Sequence, residues 1–199
     1  MKLNEIINLY QLAADTTKLK GSYELASERV PKLAWEKYCP YPEELKKREH
    51  LWIQDAEIAY EYAFMYSKRW PEAEPVIMKD PQWACKYARN VIRGRWPEAE
   101  PYIMKSPEDA NLYAQYVIGG RWPEAEPYIM KEPETAYWYV ERTITERCPE
   151  AEPYLKKDPD IAFYYAMYII QERWPEAEPV IATDRNLAQQ YNRQFGTNI

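Results

Sequence analysis

One string of residues returns five times at a fixed interval and constrains this chain more than any other feature. RWPEAEPVIMKDP begins at Arg69, RWPEAEPYIMKSP at Arg95, RWPEAEPYIMKEP at Arg121, RCPEAEPYLKKDP at Arg147 and RWPEAEPVIATD at Arg173. Successive arginines stand 26 residues apart without insertion, so five units run from Arg69 to Asn198. A strict period of this length marks a stack of supersecondary units, none able to bury its apolar face alone. The repeat also explains 17 prolines against 5 glycines, since all but Pro31, Pro40 and Pro42 fall inside it. Proline here punctuates helix starts.

The second half of each unit reads as a helix of about 12 residues with one apolar stripe. Asp80-Pro81, Ser106-Pro107 and Asp158-Pro159 place a capping oxygen before a proline at the first helical position, and Glu132-Pro133 and Asp184-Arg185 are weaker versions. Behind the cap the stripe runs Ala84, Tyr87, Ala88, Val91, Ile92, then Ala110, Tyr113, Ala114, Val117, Ile118, and later Ala162, Tyr165, Ala166, Ile169, Ile170. The alanines allow neighbouring helices to approach closely. Gly94 and the pair Gly119-Gly120 sit where a helix end favours a left-handed residue. The first half predicts a shorter helix of about two turns, with Pro75 near its start and Glu72 and Glu74 at its positive end.

Stacked copies of such pairs predict an all-α fold, a right-handed α-solenoid of short helix–turn–helix repeats. The last unit turns polar, with Asn192 in place of Ala166 and Gly196 in place of Ile170, as a capping repeat requires. Residues 1–68 read as a helical cap with divergent repeats, continuous with 69–199 as one domain. DAEIAYEYAFMYSK keeps the second-helix spacing; YPEELKKREHLW, from Tyr41 to Trp52, resembles a lengthened first helix; Leu3, Ile6, Ile7 and Tyr10 open an amphipathic helix, and Pro31 starts another.

Composition narrows the setting. An aromatic share of 15%, with 19 Tyr and 8 Trp, excludes a disordered chain. No apolar run reaches the roughly 18 residues of a membrane span. The opening MKLNEIINLYQL is interrupted by Asn4, Glu5 and Asn8 where a signal peptide needs an apolar stretch. Cys39, Cys85 and Cys148 are odd in number and far apart, which reads as free thiols in a reducing cytoplasm. A net charge of −6 argues against generic nucleic-acid or membrane-surface binding.

The units are similar to a repeat found in proteins encoded by tailed bacteriophages and related viruses, which string together R-[WF]-PEAEP-x-I-M-K-D-P segments. The resemblance covers Arg69 to about Gln194 and departs from the pattern at Cys148, in place of Trp, and at Ala182-Thr183, in place of Met-Lys. It implies a helical-repeat fold, a phage origin and hence the host cytoplasm, but no activity. The pairing of helices also resembles tetratricopeptide or Sel1-like arrays, with a shorter period and without their signatures.

Catalytic chemistry finds no foothold in this pattern. The Glu-x-Glu pairs at Glu72/Glu74, Glu98/Glu100, Glu124/Glu126, Glu150/Glu152 and Glu176/Glu178 could serve as acid and base or bind a cation. An active site needs one constellation, however, and this one recurs five times. The structural reading pairs these acids with a neighbouring unit's arginine from the ladder Arg69, Arg95, Arg121, Arg147 and Arg173, whose competing role is a phosphate-binding row. Trp70, Trp96, Trp122 and Trp174 read as plugs at the joints between units. His50 is the only histidine, and no Cys-x-x-Cys, P-loop or dinucleotide fingerprint appears, so neither cofactor nor metal is implied.

If recurring positions build the stack, function belongs where the units differ. Three columns on the second helix vary: Lys86, Leu112, Trp138, Tyr164, Gln190; Cys85, Asn111, Tyr137, Phe163, Gln189; and Asn90, Tyr116, Arg142, Tyr168, Gln194. Tyr116, Tyr137, Trp138, Phe163, Tyr164 and Tyr168 concentrate in the middle units, with Arg89 and Arg142 beside them. Such columns either fill space between units or line an extended binding surface. The expected function is a non-enzymatic scaffold that binds a host or phage protein, as a counter to host defence. The competing expectation is sequestration of a small nucleotide signal by stacking rings and arginines. A structural virion component and self-association through a weak charge asymmetry are further options.

Overall fold

The computed structural model describes residues 53–199. The chain divides into two compact units, Met1–Val76 and Ile77–Ile199. The helices expected around Leu3, Pro31 and Tyr41, together with Cys39 and His50, lie outside the described residues. Among those described, every regular element is helical.

The first unit shows α1 (Ala56–Met65), which buries Ala59, Tyr60 and Ala63 and is capped by the Asp55 carboxylate accepting from the Ile58 amide at 3.0 Å. The short α2 (Glu74–Ile77) follows, and the division between the units falls inside it.

The second unit alternates long and short elements. The long ones are α3 (Pro81–Tyr87) continued by π1 (Ala88–Ile92), α5 (Pro107–Tyr113) by π2 (Ala114–Ile118), α7 (Pro133–Tyr139) by π3 (Val140–Ile144), and α9 (Pro159–Tyr164) by π4 (Tyr165–Ile170). Between them lie the single-turn helices α4 (Glu100–Ile103), α6 (Glu126–Ile129), α8 (Glu152–Leu155) and α10 (Glu178–Ile181), and α11 (Arg185–Phe195) ends the series without a π segment. Each long helix packs against the next, so the alanine positions Ala84, Ala110, Ala136 and Ala162 are fully buried.

Local chemistry sets the boundaries. Asp80, Ser106 and Asp158 accept from the amides of Trp83, Asp109 and Ile161 at 3.2, 3.2 and 3.0 Å, as N-caps do. Asp184 caps more fully than its sequence suggested, accepting from both Asn186 and Leu187. Glu132 makes no side-chain cap bond, because its longer carboxylate overshoots the first-turn amides.

Two expectations need correction. The first helix of each unit has one turn, not two: Pro75 and its equivalents lack the amide that would extend it backwards, so the PEA segment closes as a turn onto the Trp carbonyl, as in Ala99 and Glu100 to Trp96 at 2.9 and 3.2 Å. Nor is Gly94 the left-handed residue that ends its helix. That place belongs to Arg93 at φ 60°, Gly119 at 74°, Thr145 at 62° and Gln171 at 58°. Gly119, Thr145 and Gln171 donate to carbonyls five residues back, at 2.9, 2.7 and 2.8 Å, so the last turn is wider than an α-turn and its closing residue takes the left-handed place.

Candidate functional site

The recurring residues fold into a clasp within each unit. Arg95 Nε and Nη2 donate to Glu100 Oε1 and Oε2, both at 2.8 Å, and the same fork joins Arg69 to Glu74, Arg121 to Glu126 and Arg173 to Glu178. Arg147 and Glu152 form a looser one at 2.7 and 3.4 Å. Each carboxylate therefore pairs with its own unit's arginine, five residues earlier, and not with a neighbour's. The PEA turn brings the two together, which leaves no reach to another unit.

A tyrosine completes the clasp. The Tyr139 hydroxyl accepts from the Trp122 amide at 2.8 Å and donates to Glu126 at 3.0 Å, and Tyr113 bridges Trp96 and Glu100 at 2.6 and 3.1 Å. Tyr191 does the same for Trp174 and Glu178, and Tyr165 accepts from the Cys148 amide at 2.8 Å. The Arg121 fork is the main influence holding the Glu126 carboxyl below the usual carboxylate range. Burial is the main cause that raises the phenols of Tyr113, Tyr139 and Tyr165.

The same rings reach forward. Tyr87, Tyr113 and Tyr165 lie 5.1, 5.0 and 5.1 Å from the Trp96, Trp122 and Trp174 rings of the following unit. These tryptophans are almost wholly buried. In the first unit Trp70 stands 4.7 Å from Tyr62. The ladder arginines are thus each engaged with a carboxylate of their own repeat while staying about half exposed.

The variable columns separate cleanly. Cys85, Asn111, Tyr137 and Phe163 are buried and pack between helices. Tyr164 and Tyr168, by contrast, are 41% and 59% exposed, and their rings stack at 6.0 Å. Tyr116 is also exposed, although the Arg89 guanidinium covers it at 4.0 Å. Arg142 lies over Trp138 at 4.3 Å and pairs loosely with Glu141 at 3.6 Å. Of the residues singled out in the sequence, Tyr137, Trp138, Tyr164 and Tyr168 come together, while Arg89, Tyr116, Arg142 and Phe163 do not line the same hollow.

That hollow is an open groove of about 1020 Å³ across the starts of α5, α7 and α9. Besides the four rings it is lined by Glu108, Glu132, Glu134, Glu141, Asp158 and Asp160, with no lysine or arginine among its lining residues. Asp158 is committed to its cap and Glu141 to Tyr137 and Arg142. Glu132, Glu134 and Asp160 are exposed and, among the described residues, pair with no cation. The groove's acidity and the tyrosine hydroxyl of the clasp are the two features that reading the sequence missed. Both left a trace there: Tyr never gives way to Phe at its stripe position, and the third unit carries six acids against three bases.

Among the described residues no set of three or more acidic, histidine or cysteine side chains is placed to hold a metal ion, and no helix is long and apolar enough to cross a membrane. The Cys85 thiol is pushed up to about 12, chiefly by burial. Comparison with known protein families, with characterised proteins and with solved structures finds no match for this chain.

Proposed function

We propose that this chain is a non-enzymatic helical-repeat scaffold, built as a right-handed α-solenoid over residues 77–199, which binds a protein partner along the groove of its middle repeats. The observation that carries the reading is the split between columns. Recurring residues and one variable column are consumed by packing, while Trp138, Tyr164 and Tyr168 line a groove crossing three units, the two tyrosines exposed and Trp138 half-buried. Exposed aromatic clusters of this kind favour protein interfaces.

The chemistry against an enzyme is specific to this fold. One carboxylate of each Glu-x-Glu pair is locked in a fork, and the buried thiol of Cys85 is a poor nucleophile at neutral pH. A nucleotide is the weaker occupant, because its phosphates would face the carboxylates of Glu108, Glu132, Glu134 and Asp160. Phage origin rests on the resemblance of the RWPEAEP units, and a role against host defence extends that origin without any activity carried by the repeat itself.

Native mass spectrometry of gently purified protein tests the reading. A co-purifying polypeptide, lost when Trp138, Tyr164 and Tyr168 are replaced by alanine in a still-folded chain, is the expected result. A bound mass of a few hundred daltons, released on denaturation, would replace the protein partner with a small ligand.

A further inference from the structure

We infer that the groove across α5, α7 and α9 receives an extended, arginine-bearing polypeptide segment, with guanidinium groups lying on Trp138, Tyr164 and Tyr168 and pairing with Glu132, Glu134 and Asp160. This rests on the protein-binding reading above and narrows it to a cationic partner. Carboxylates and aromatic rings lining one groove suit a planar cation, which pairs by its edge and stacks by its face.

Three observations favour an extended polycation over a point charge. The carboxylates do not converge: no three of them are placed to hold one metal ion, so their charge is spread along the groove. Neighbouring helices pack about 8–10 Å apart, so three of them span about 16–20 Å. That is the length of about five or six extended residues. The protein also holds an internal example of the contact, since Arg142 lies on Trp138 while pairing with Glu141 beside the groove.

A second copy of the chain is the less suitable occupant. Among its five repeats the first is the most basic, and there Lys86 and Arg89 already sit over Trp83 and Tyr116 at 3.9 and 4.0 Å. Arg142 acquires a definite sign under this reading. Its guanidinium competes for the Trp138 face, so removing it strengthens binding, whereas a phosphate ligand would be weakened by the same change.

The test is fluorescence anisotropy on the full chain with a labelled decapeptide of alternating Arg and Gly, beside the same peptide with neutral citrulline at each Arg. The arginine peptide is expected to bind at least tenfold tighter than its citrulline counterpart. Glu132→Gln with Glu134→Gln and Asp160→Asn is expected to weaken it tenfold or more. Glu98→Gln with Glu124→Gln and Glu176→Gln removes the same charge from exposed positions outside the groove and is expected to change binding less than twofold. Arg142→Met is expected to tighten it severalfold. Equal loss in the two triple variants would overturn the inference, leaving only the attraction of an acidic protein. Citrulline binding as tight as arginine binding, still lost with Trp138→Ala, would overturn the cationic occupant and leave the protein-binding reading standing. Binding of adenosine triphosphate but of neither peptide would overturn both. Concentration-dependent dimers in sedimentation, abolished by the groove variant, would assign the surface to a second copy instead.

Discussion

In the third repeat, Arg121, Trp122 and Glu126 have their polar groups engaged: the arginine fork closes on the carboxylate and Tyr139 bridges the Trp122 amide to it. A few residues on, Glu132 and Glu134 line open space with their charges exposed, beside the half-buried ring of Trp138. The two stretches share one repeat but answer to different demands. The clasp is repeated because every joint has the same geometry; the groove is not repeated, and its chemistry exists only in the middle units. Changes to the clasp should therefore move stability, and changes to the groove should move binding alone.

The largest effect tests the joint. Trp122→Ala is expected to lower stability by roughly 3–5 kcal/mol, as truncation of a buried aromatic does. A melting temperature within a degree of the parent would show that the ring contributes no packing. Tyr139→Phe keeps the ring and removes one atom, leaving the buried Trp122 amide without an acceptor. The expected cost is about 1–3 kcal/mol in a denaturant titration.

The fourth repeat sharpens the same point, since Cys148 stands where the others have tryptophan and its fork is the loosest. Cys148→Ala removes little volume and is expected to cost about 1 kcal/mol or less, well below the tryptophan variant. Glu126→Gln is expected to cost about 1 kcal/mol at pH 7, modest because Arg121 is half exposed. The folded carboxyl titrates below its unfolded value, so its stabilisation is present above the unfolded pKa and disappears as pH falls through the folded one. Thermal melts of parent and variant should therefore converge as pH drops below about 4. The smallest expected effect is the most telling. Glu132→Gln with Glu134→Gln and Asp160→Asn should leave the melting temperature nearly unchanged, since relief of like-charge repulsion offsets the lost attraction to the helix starts.

Much of the clasp's scaffold was legible in the sequence because its signals are local. Proline at the first helical position, an aspartate or serine before it and the spacing from Ala110 to Ile118 depend on neighbours a turn away. Which carboxylate meets which arginine was not legible, because it depends on how tightly the PEA turn closes. The groove was legible only in fragments. The variable columns held Tyr137, Trp138, Tyr164 and Tyr168, but exposure depends on the angle at which one helix meets the next, which no local pattern encodes. Tyr137 and Phe163 differ from Tyr164 by about one residue's rotation, enough to carry them from solvent into the core. The acids joined them because helix starts from three units, each acidic for its own dipole, were brought side by side.

Those π segments have one more consequence. Each inserts a slower turn into an otherwise α-helical element, so the chain leaves the long helix at a bearing that ordinary winding would not give. The five-residue hydrogen bond of Thr145 to Val140 is such a turn, and the residues from Arg147 onward inherit its phase. Deleting one residue from Val140–Ile144 would let the segment rewind as an α-helix, a four-residue turn replacing the five-residue one, and the residues downstream would keep nearly their direction. Each π segment thus acts like slack in a cord: it holds one residue that the turn can give up while the next clasp stays in place.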